Sequence, residues 1–219
     1  MNEQHVRQKG LVQWLKENHY AYWSVCLFLI IFLYLLPECL ITTGYTPTEL
    51  AVDGLIPFLP GFVYFYILWF PLLVGTGLWL LIKDGFGYRR YMIFLTISYA
   101  MCAAIYLSFP NGQDLRPDAL EANRLSTWIL SQLYQIDTNT NVLPSLHVVG
   151  SIGAAAAICT TPTIKSRGFK AVTVILSVLI SVSTVFVKQH ALLDVAAGLV
   201  VGFLVYALTC LLTRRRKVY

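Results

Sequence analysis

The sequence predicts an all-α, polytopic membrane protein: a six-helix transmembrane bundle with a short amphipathic helix in one outer loop. Three observations carry this. Of 219 residues, 57% are apolar and 12% are charged, about half the charged fraction of a soluble domain. The apolar residues lie in long unbroken stretches, each near or above the roughly 20 residues a helix needs to cross the hydrocarbon core. Lipid offers backbone N–H and C=O groups no outside partner, so such stretches must be helices. The alternating pattern of a membrane β-barrel is absent.

Spans are expected at roughly 22–42, 60–82, 91–110, 143–161, 171–187 and 190–212. The first is not a cleaved signal peptide, because it follows a polar stretch of about 20 residues and five more spans come after it. Residues 1–20 set Leu11, Val12, Trp14 and Leu15 among charges, which suits a short helix lying at the interface. The membrane domain is then 21–213, and 214–219 is a basic tail.

Lysine and arginine fix the orientation. The N-terminal stretch, the 83–90 and 162–170 turns and the C-terminal tail hold thirteen of them. The opposite segments hold only Arg116, Arg124 and Lys188. Both termini are therefore expected in the cytoplasm, with the 43–59 and 111–142 loops facing outward. The Arg214–Lys217 cluster reads as a topology anchor, and no nucleic-acid partner is expected. In the 111–142 loop, Leu125, Trp128, Ile129, Leu133 and Ile136 recur at helical spacing and mark one face of an amphipathic helix. The five cysteines (Cys26, Cys39, Cys102, Cys159, Cys210) are scattered through apolar spans with no C-x-x-C pair. Neither a disulfide nor a zinc site is expected.

Ionisable residues within or at the mouth of membrane spans are costly and mark function by default. Three places stand out: Arg116 with Pro117, the run Pro144, Ser145, Leu146 and His147, and the set Ser183, Lys188, His190 and Asp194. The fourth and sixth spans both run inward, so their first turns lie at the outer surface, where the Arg116 loop also lies. The topology thus places all three on one membrane face.

Their chemistry is coherent. His190 and Asp194 are four apart and share a helix face. A carboxylate there fixes the imidazole tautomer and leaves the other nitrogen free to attack. His147 is a second imidazole that can protonate a leaving oxygen. Pro144 suits a first helical turn, whose free N–H groups with the Ser145 hydroxyl form an anion-binding end. Arg116 can clamp a phosphate with two parallel hydrogen bonds, and Lys188 adds a point charge. Two histidines, a carboxylate and two cations suit phosphoryl transfer in which protein groups neutralise the developing charge. Asp194, read as lying inside the sixth span, needs a partner, and His190 is the nearest in sequence.

These residues resemble the three blocks of the type 2 phosphatidic acid phosphatase superfamily, over roughly residues 110–200. The resemblance implies a six-helix core, metal-independent catalysis without a cofactor, a phosphohistidine intermediate and a membrane lipid substrate. His190 would be the nucleophile, Asp194 its orienter and His147 the general acid. Arg116 and Ser145, with Ser183 and Lys188, would bind phosphate. Two positions depart from the pattern: Phe109 stands where the first block has lysine, and Thr184 where the third has arginine. Lys188, two residues before the expected nucleophile, is the candidate replacement. The short chain and brief loops resemble bacterial members, which implies the plasma membrane.

The expected function is therefore a lipid phosphatase acting on a phosphomonoester or pyrophosphate at the outer face. Head-group phosphotransfer to an alcohol stays open, because Lys188, Gln189 and His190 also resemble the sphingomyelin-synthase-like branch. An inactive lipid-binding or transport protein is the third reading. Small residues such as Gly150, Gly153 and Ala154 serve internal and intermolecular packing equally well, so the oligomeric state is not legible.

Overall fold

The structure, a computed structural model, describes residues 19–121 and 123–214. The interfacial helix expected over 1–20 and the basic tail expected over 214–219 fall almost wholly outside the described residues. Eight α-helices are described: α1 (Cys26–Leu40), α2 (Val63–Ile67), α3 (Trp69–Lys83), α4 (Gly85–Ser108), α5 (Leu125–Ile136), α6 (Leu146–Thr160), α7 (Arg167–Phe186) and α8 (Leu192–Leu212). With the 3-10 turns that precede α1 and α2, five continuous apolar segments are long enough to cross a membrane: His19–Leu40, Pro60–Lys83, Gly85–Ser108, Arg167–Phe186 and Leu192–Leu212.

The sixth expected span is shorter than the sequence suggests. α6 has 15 residues, about 22 Å at 1.5 Å per residue, against a hydrocarbon core of roughly 30 Å. Its start is delayed because 142–145 bond outside the helix. The Val142 and Leu143 N–H groups donate to Asn111 Oδ1 at 3.0 and 2.8 Å, and the Ser145 N–H donates to the Asp194 carbonyl at 3.1 Å. Pro162 follows its end closely, as a helix terminus prefers. The expected turn over 83–90 also shrinks to one residue. Asp84 caps α4 through its side chain, which accepts the Gly87 N–H at 2.9 Å, and Arg89 and Arg90 join the first turns of α4. The helix expected from the Leu125–Ile136 spacing is α5.

α4 is the axis of the bundle. It packs on α1, α3, α6 and α8, and half of its apolar window is buried, against 11% for the segment containing α1. Three of its four buried tyrosines have hydrogen-bonded hydroxyls, as a lipid-embedded core favours. Tyr88 pairs with Ser24 at 2.7 Å, Tyr91 donates to the Leu73 carbonyl, and Tyr106 donates to the Pro144 carbonyl.

Successive helices alternate in direction, so the loops after α1, α4 and α7 meet at one end. There they are sewn together. β1 (Thr46–Pro47) pairs in parallel with β2 (Asn111–Gly112), and Gly112 bridges to Thr140. The Leu59 N–H donates to the Phe186 carbonyl. α2 and α3 are one span broken at Leu68, where Pro71 has no N–H to give the Ile67 carbonyl. That break brings Trp69 into the same end of the bundle.

α6 and α8 cross closely at Gly198. A Cβ there would lie 2.9 Å from Val148 Cβ and 3.0 Å from the Ser145 carbonyl oxygen. Neither contact can swing away. Gly198→Ala is expected to cost about 1–3 kcal/mol, read as a lower melting temperature in detergent with the fold retained.

Candidate active site

The turn between α7 and α8 is built by a helix-ending motif. The Gln189 N–H reaches back to the Thr184 carbonyl at 2.9 Å, and the Lys188 N–H reaches the Val185 carbonyl at 3.1 Å. This pattern calls for a left-handed residue after the C-cap, usually glycine. Here it is Lys188, at φ 55°. A left-handed non-glycine residue costs on the order of 1–3 kcal/mol and persists only where surrounding contacts hold it. They do: the Lys188 ammonium donates to the carbonyls of Asp53 (2.9 Å) and Ile56 (2.7 Å). Asp53, fully buried, accepts the Leu192 N–H at 2.8 Å through its other end, its carboxylate. The loop after α1 is thereby clamped onto the start of α8. Burial pulls the Lys188 pKa below the usual lysine value, with Asp53 opposing.

That clamp presents His190. The residue sits just before α8 rather than on it, yet its Nδ1 lies 3.5 Å from Asp194 Oδ2. Asp194 stands in the first turn of α8, not deep within the span. There its carboxylate faces the positive helix end and accepts the Ala191 N–H at 2.8 Å. Among the described residues, Oδ1 of Asp194 and Nδ1 of His190 have no hydrogen-bond partner.

His147, in the first turn of α6, lies across from His190 with ring centroids 5.7 Å apart and planes near perpendicular. Its ring is held by Tyr66 at 4.2 Å and Trp69 at 4.4 Å. Its Nε2 is buried without a hydrogen-bond partner among the described residues. Both imidazoles line one cavity of about 80 Å³, together with Glu38, Asp137, Asn141 and Gln189. Among the described residues no group of three or more His, Cys, Asp or Glu side chains is placed to hold a metal ion.

The structure thus brings together His147, His190 and Asp194. Of the four residues expected to bind phosphate, three have their polar groups engaged by the protein. The Arg116 guanidinium donates to the carbonyls of Tyr134 (3.1 Å) and Asp137 (2.6 Å) and lies over the Tyr134 ring, capping the C-terminus of α5. Burial lowers its pKa from the ordinary arginine value, with Asp137 opposing. Lys188 serves the 53–56 carbonyls. The Ser183 hydroxyl donates to the Ile180 carbonyl of its own helix at 2.6 Å. Ser145 lies next to Asp194, and its buried hydroxyl has no partner among the described residues.

Sequence reasoning missed the acidic wall. Glu38, near the end of α1, accepts from Thr138 at 2.6 Å and Asn141 at 3.0 Å. Asp137 accepts the Tyr66 hydroxyl and, through its carbonyl, the Gln189 amide at 3.4 Å. A carboxylate within a span is itself a functional signal, and Glu38 carries that signal in the sequence. Asp137, in a polar loop, carries none.

Lys188 invites a paired test. Lys188→Ala keeps the left-handed strain and loses two charged hydrogen bonds, each worth about 1.5–3 kcal/mol. Lys188→Gly loses the same bonds and relieves the strain. The glycine variant should therefore melt above the alanine variant and below wild type. Reversal of that order would show that the ammonium contacts do not hold the turn.

The PAP2 superfamily matches residues 88–217, more than half of the chain. No curated protein and no solved structure matches. The matched stretch contains His147, His190 and Asp194, and the apolar spans are those of an integral membrane protein. The family carries lipid phosphoesterase chemistry of the phosphatase and phosphotransferase kind. With the family match covering more than half of it, the chain belongs to the PAP2 superfamily.

Proposed function

We propose that this protein is a lipid phosphatase that passes the phosphoryl group through His190. The observation that carries this reading is the pair of imidazoles on one cavity, with a carboxylate behind one of them. In the first step the His190 nitrogen remote from Asp194 bonds to phosphorus while the bond from phosphorus to the alcohol oxygen breaks. His147, entering protonated, gives its proton to that oxygen, and Asp194 stabilises the positive charge left on the His190 ring. Water then attacks phosphorus, gives its proton to His147, and the N–P bond breaks to release phosphate. The Ser145 hydroxyl, free of protein partners, is a phosphate donor in this scheme. Arg116, Lys188 and Ser183 complete the phosphate set if the loops at this end rearrange around substrate. The bias of lysine and arginine to the opposite segments supports an extracytoplasmic site with both termini inside, and the brief loops, similar to those of bacterial members, support a bacterial plasma membrane.

The test is phosphate release by the purified protein from phosphatidic acid, phosphatidylglycerol phosphate and a polyprenyl pyrophosphate, with EDTA present. Release from at least one is expected. A second reading, head-group transfer to an alcohol, is favoured by Glu38 and Asp137. No lysine or arginine is among the described residues lining the cavity, and two carboxylates oppose a dianionic phosphomonoester more than a monoanionic diester. Product that forms only when a polyol acceptor is added would favour transfer.

A further inference from the structure

Below the histidine cavity the bundle has an open seam. α1 and α3 both pack on α4, but between themselves they have at most marginal contact. The space between them is a groove of about 280 Å³ with almost wholly apolar walls. Two residues belong to both spaces: Trp69 and Phe70 line the groove and also the histidine cavity. The continuity runs along single helix faces. On α1 and its leading turn, Ser24, Leu27 and Ile30 line the groove, and Tyr34 and Glu38 continue the same face into the cavity. Spacings of three and four residues keep them in one stripe. On α3 the stripe is Trp69, Leu73, Gly77 and Leu81.

The dimensions fit one leaflet. From Trp69 to Leu81 is twelve residues of helix, about 18 Å, close to half of a hydrocarbon core of roughly 30 Å. The far end closes on a polar floor, the hydrogen-bonded hydroxyls of Ser24 and Tyr88. A hydrocarbon chain entering from the histidine end would stop there. The width depends on Gly77, whose Cβ position meets only Tyr91, at 3.7 Å.

We propose that the groove between α1 and α3 holds one hydrocarbon chain of the lipid whose phosphate is presented to His147 and His190; this rests on the function proposed above. Because bilayer lipid is as apolar as the groove, the chain gains little affinity by entering it. What it gains is position. A seated chain fixes the phosphate at the imidazoles, so the groove acts through kcat/KM for long-chain substrates.

Two measurements test this with the full chain in vesicles. The first uses phosphatidic acid carrying a diazirine near the end of one acyl chain, with adducts mapped by mass spectrometry. Adducts are expected on Leu73, Leu81 and Ile30 above the labelling of lipid-facing α7 residues such as Val178. Val74→Trp, which fills the groove from a half-exposed position, should remove most of them. The second compares dioleoyl with dihexanoyl phosphatidic acid as substrates. Val74→Trp is expected to lower kcat/KM for the long chain about tenfold and leave the short chain within about twofold of wild type. Adducts spread evenly over all lipid-facing helices, or a long-chain rate unchanged by Val74→Trp, would overturn the proposal. Equal loss on both substrates would also overturn it, as general distortion. If wild type turns over neither substrate, the phosphatase reading fails, while the labelling pattern still decides the groove.

Discussion

Replacing His190 with alanine should lower phosphate release by a factor of about 10³ or more, and no change of substrate should restore it, because removing a nucleophile removes the covalent route itself. His147→Ala should behave differently. Its expected deficit is about 10²–10⁴ with an alkyl leaving group, the usual range for a lost general acid. The size should shrink with p-nitrophenyl phosphate, whose leaving oxygen is stable without a proton. This contrast rests on geometry: His190 has a carboxylate 3.5 Å behind Nδ1, whereas His147 packs between the Tyr66 and Trp69 rings. A carboxylate behind a ring stabilises the cation formed in attack; an unpartnered Nε2 is free to move a proton to substrate. If p-nitrophenyl phosphate rescues His190→Ala and not His147→Ala, the two roles are exchanged. Rescue of neither, with both variants folded, would remove His147 from acid catalysis.

Much of this arrangement is legible in the chain because membranes simplify the code. Hydropathy marks six apolar stretches, and five of them form helices long enough to cross a membrane, since a lipid-embedded backbone has few alternatives. The amphipathic α5 is legible from the spacing of Leu125, Trp128, Ile129, Leu133 and Ile136. The convergence of 147, 190 and 194 follows from counting charges, because topology alone sends the starts of α6 and α8 to the same end. What hides is what depends on non-local hydrogen bonds. The late start of α6 is set by Asn111, more than thirty residues upstream, which takes the N–H groups of 142 and 143. The placement of Lys188 and Arg116 is similar. Both carry the charge that a phosphate site needs, and each donates instead to backbone carbonyls of segments far from it in sequence. A charge in a sequence does not say which acceptor will claim it. Asp137 is the converse: a loop carboxylate of no sequence distinction that becomes a wall of the cavity through Tyr66 and Gln189.

Asp194→Asn isolates the carboxylate's charge from its structural work. In the structure Oδ2 caps α8 by accepting the Ala191 N–H at 2.8 Å, and the same atom faces His190 Nδ1. An asparagine can keep the cap through its carbonyl oxygen, so Asp194→Asn should melt close to wild type. Asp194→Ala loses the cap and should melt lower by the equivalent of about 1 kcal/mol. Activity should not follow that order. With asparagine, the carbonyl oxygen that keeps the cap also takes the place facing His190 Nδ1, so the tautomer is kept while the negative charge behind the ring is lost. The imidazolium of the intermediate is then left without its counter-charge. A loss of about 10³–10⁴ in kcat is expected, the scale seen when a carboxylate behind a catalytic histidine is neutralised. The alanine variant should be no more active. An asparagine variant that keeps activity within about threefold, less than 1 kcal/mol of barrier, would mean that Asp194 only caps its helix and that His190 is oriented by something else.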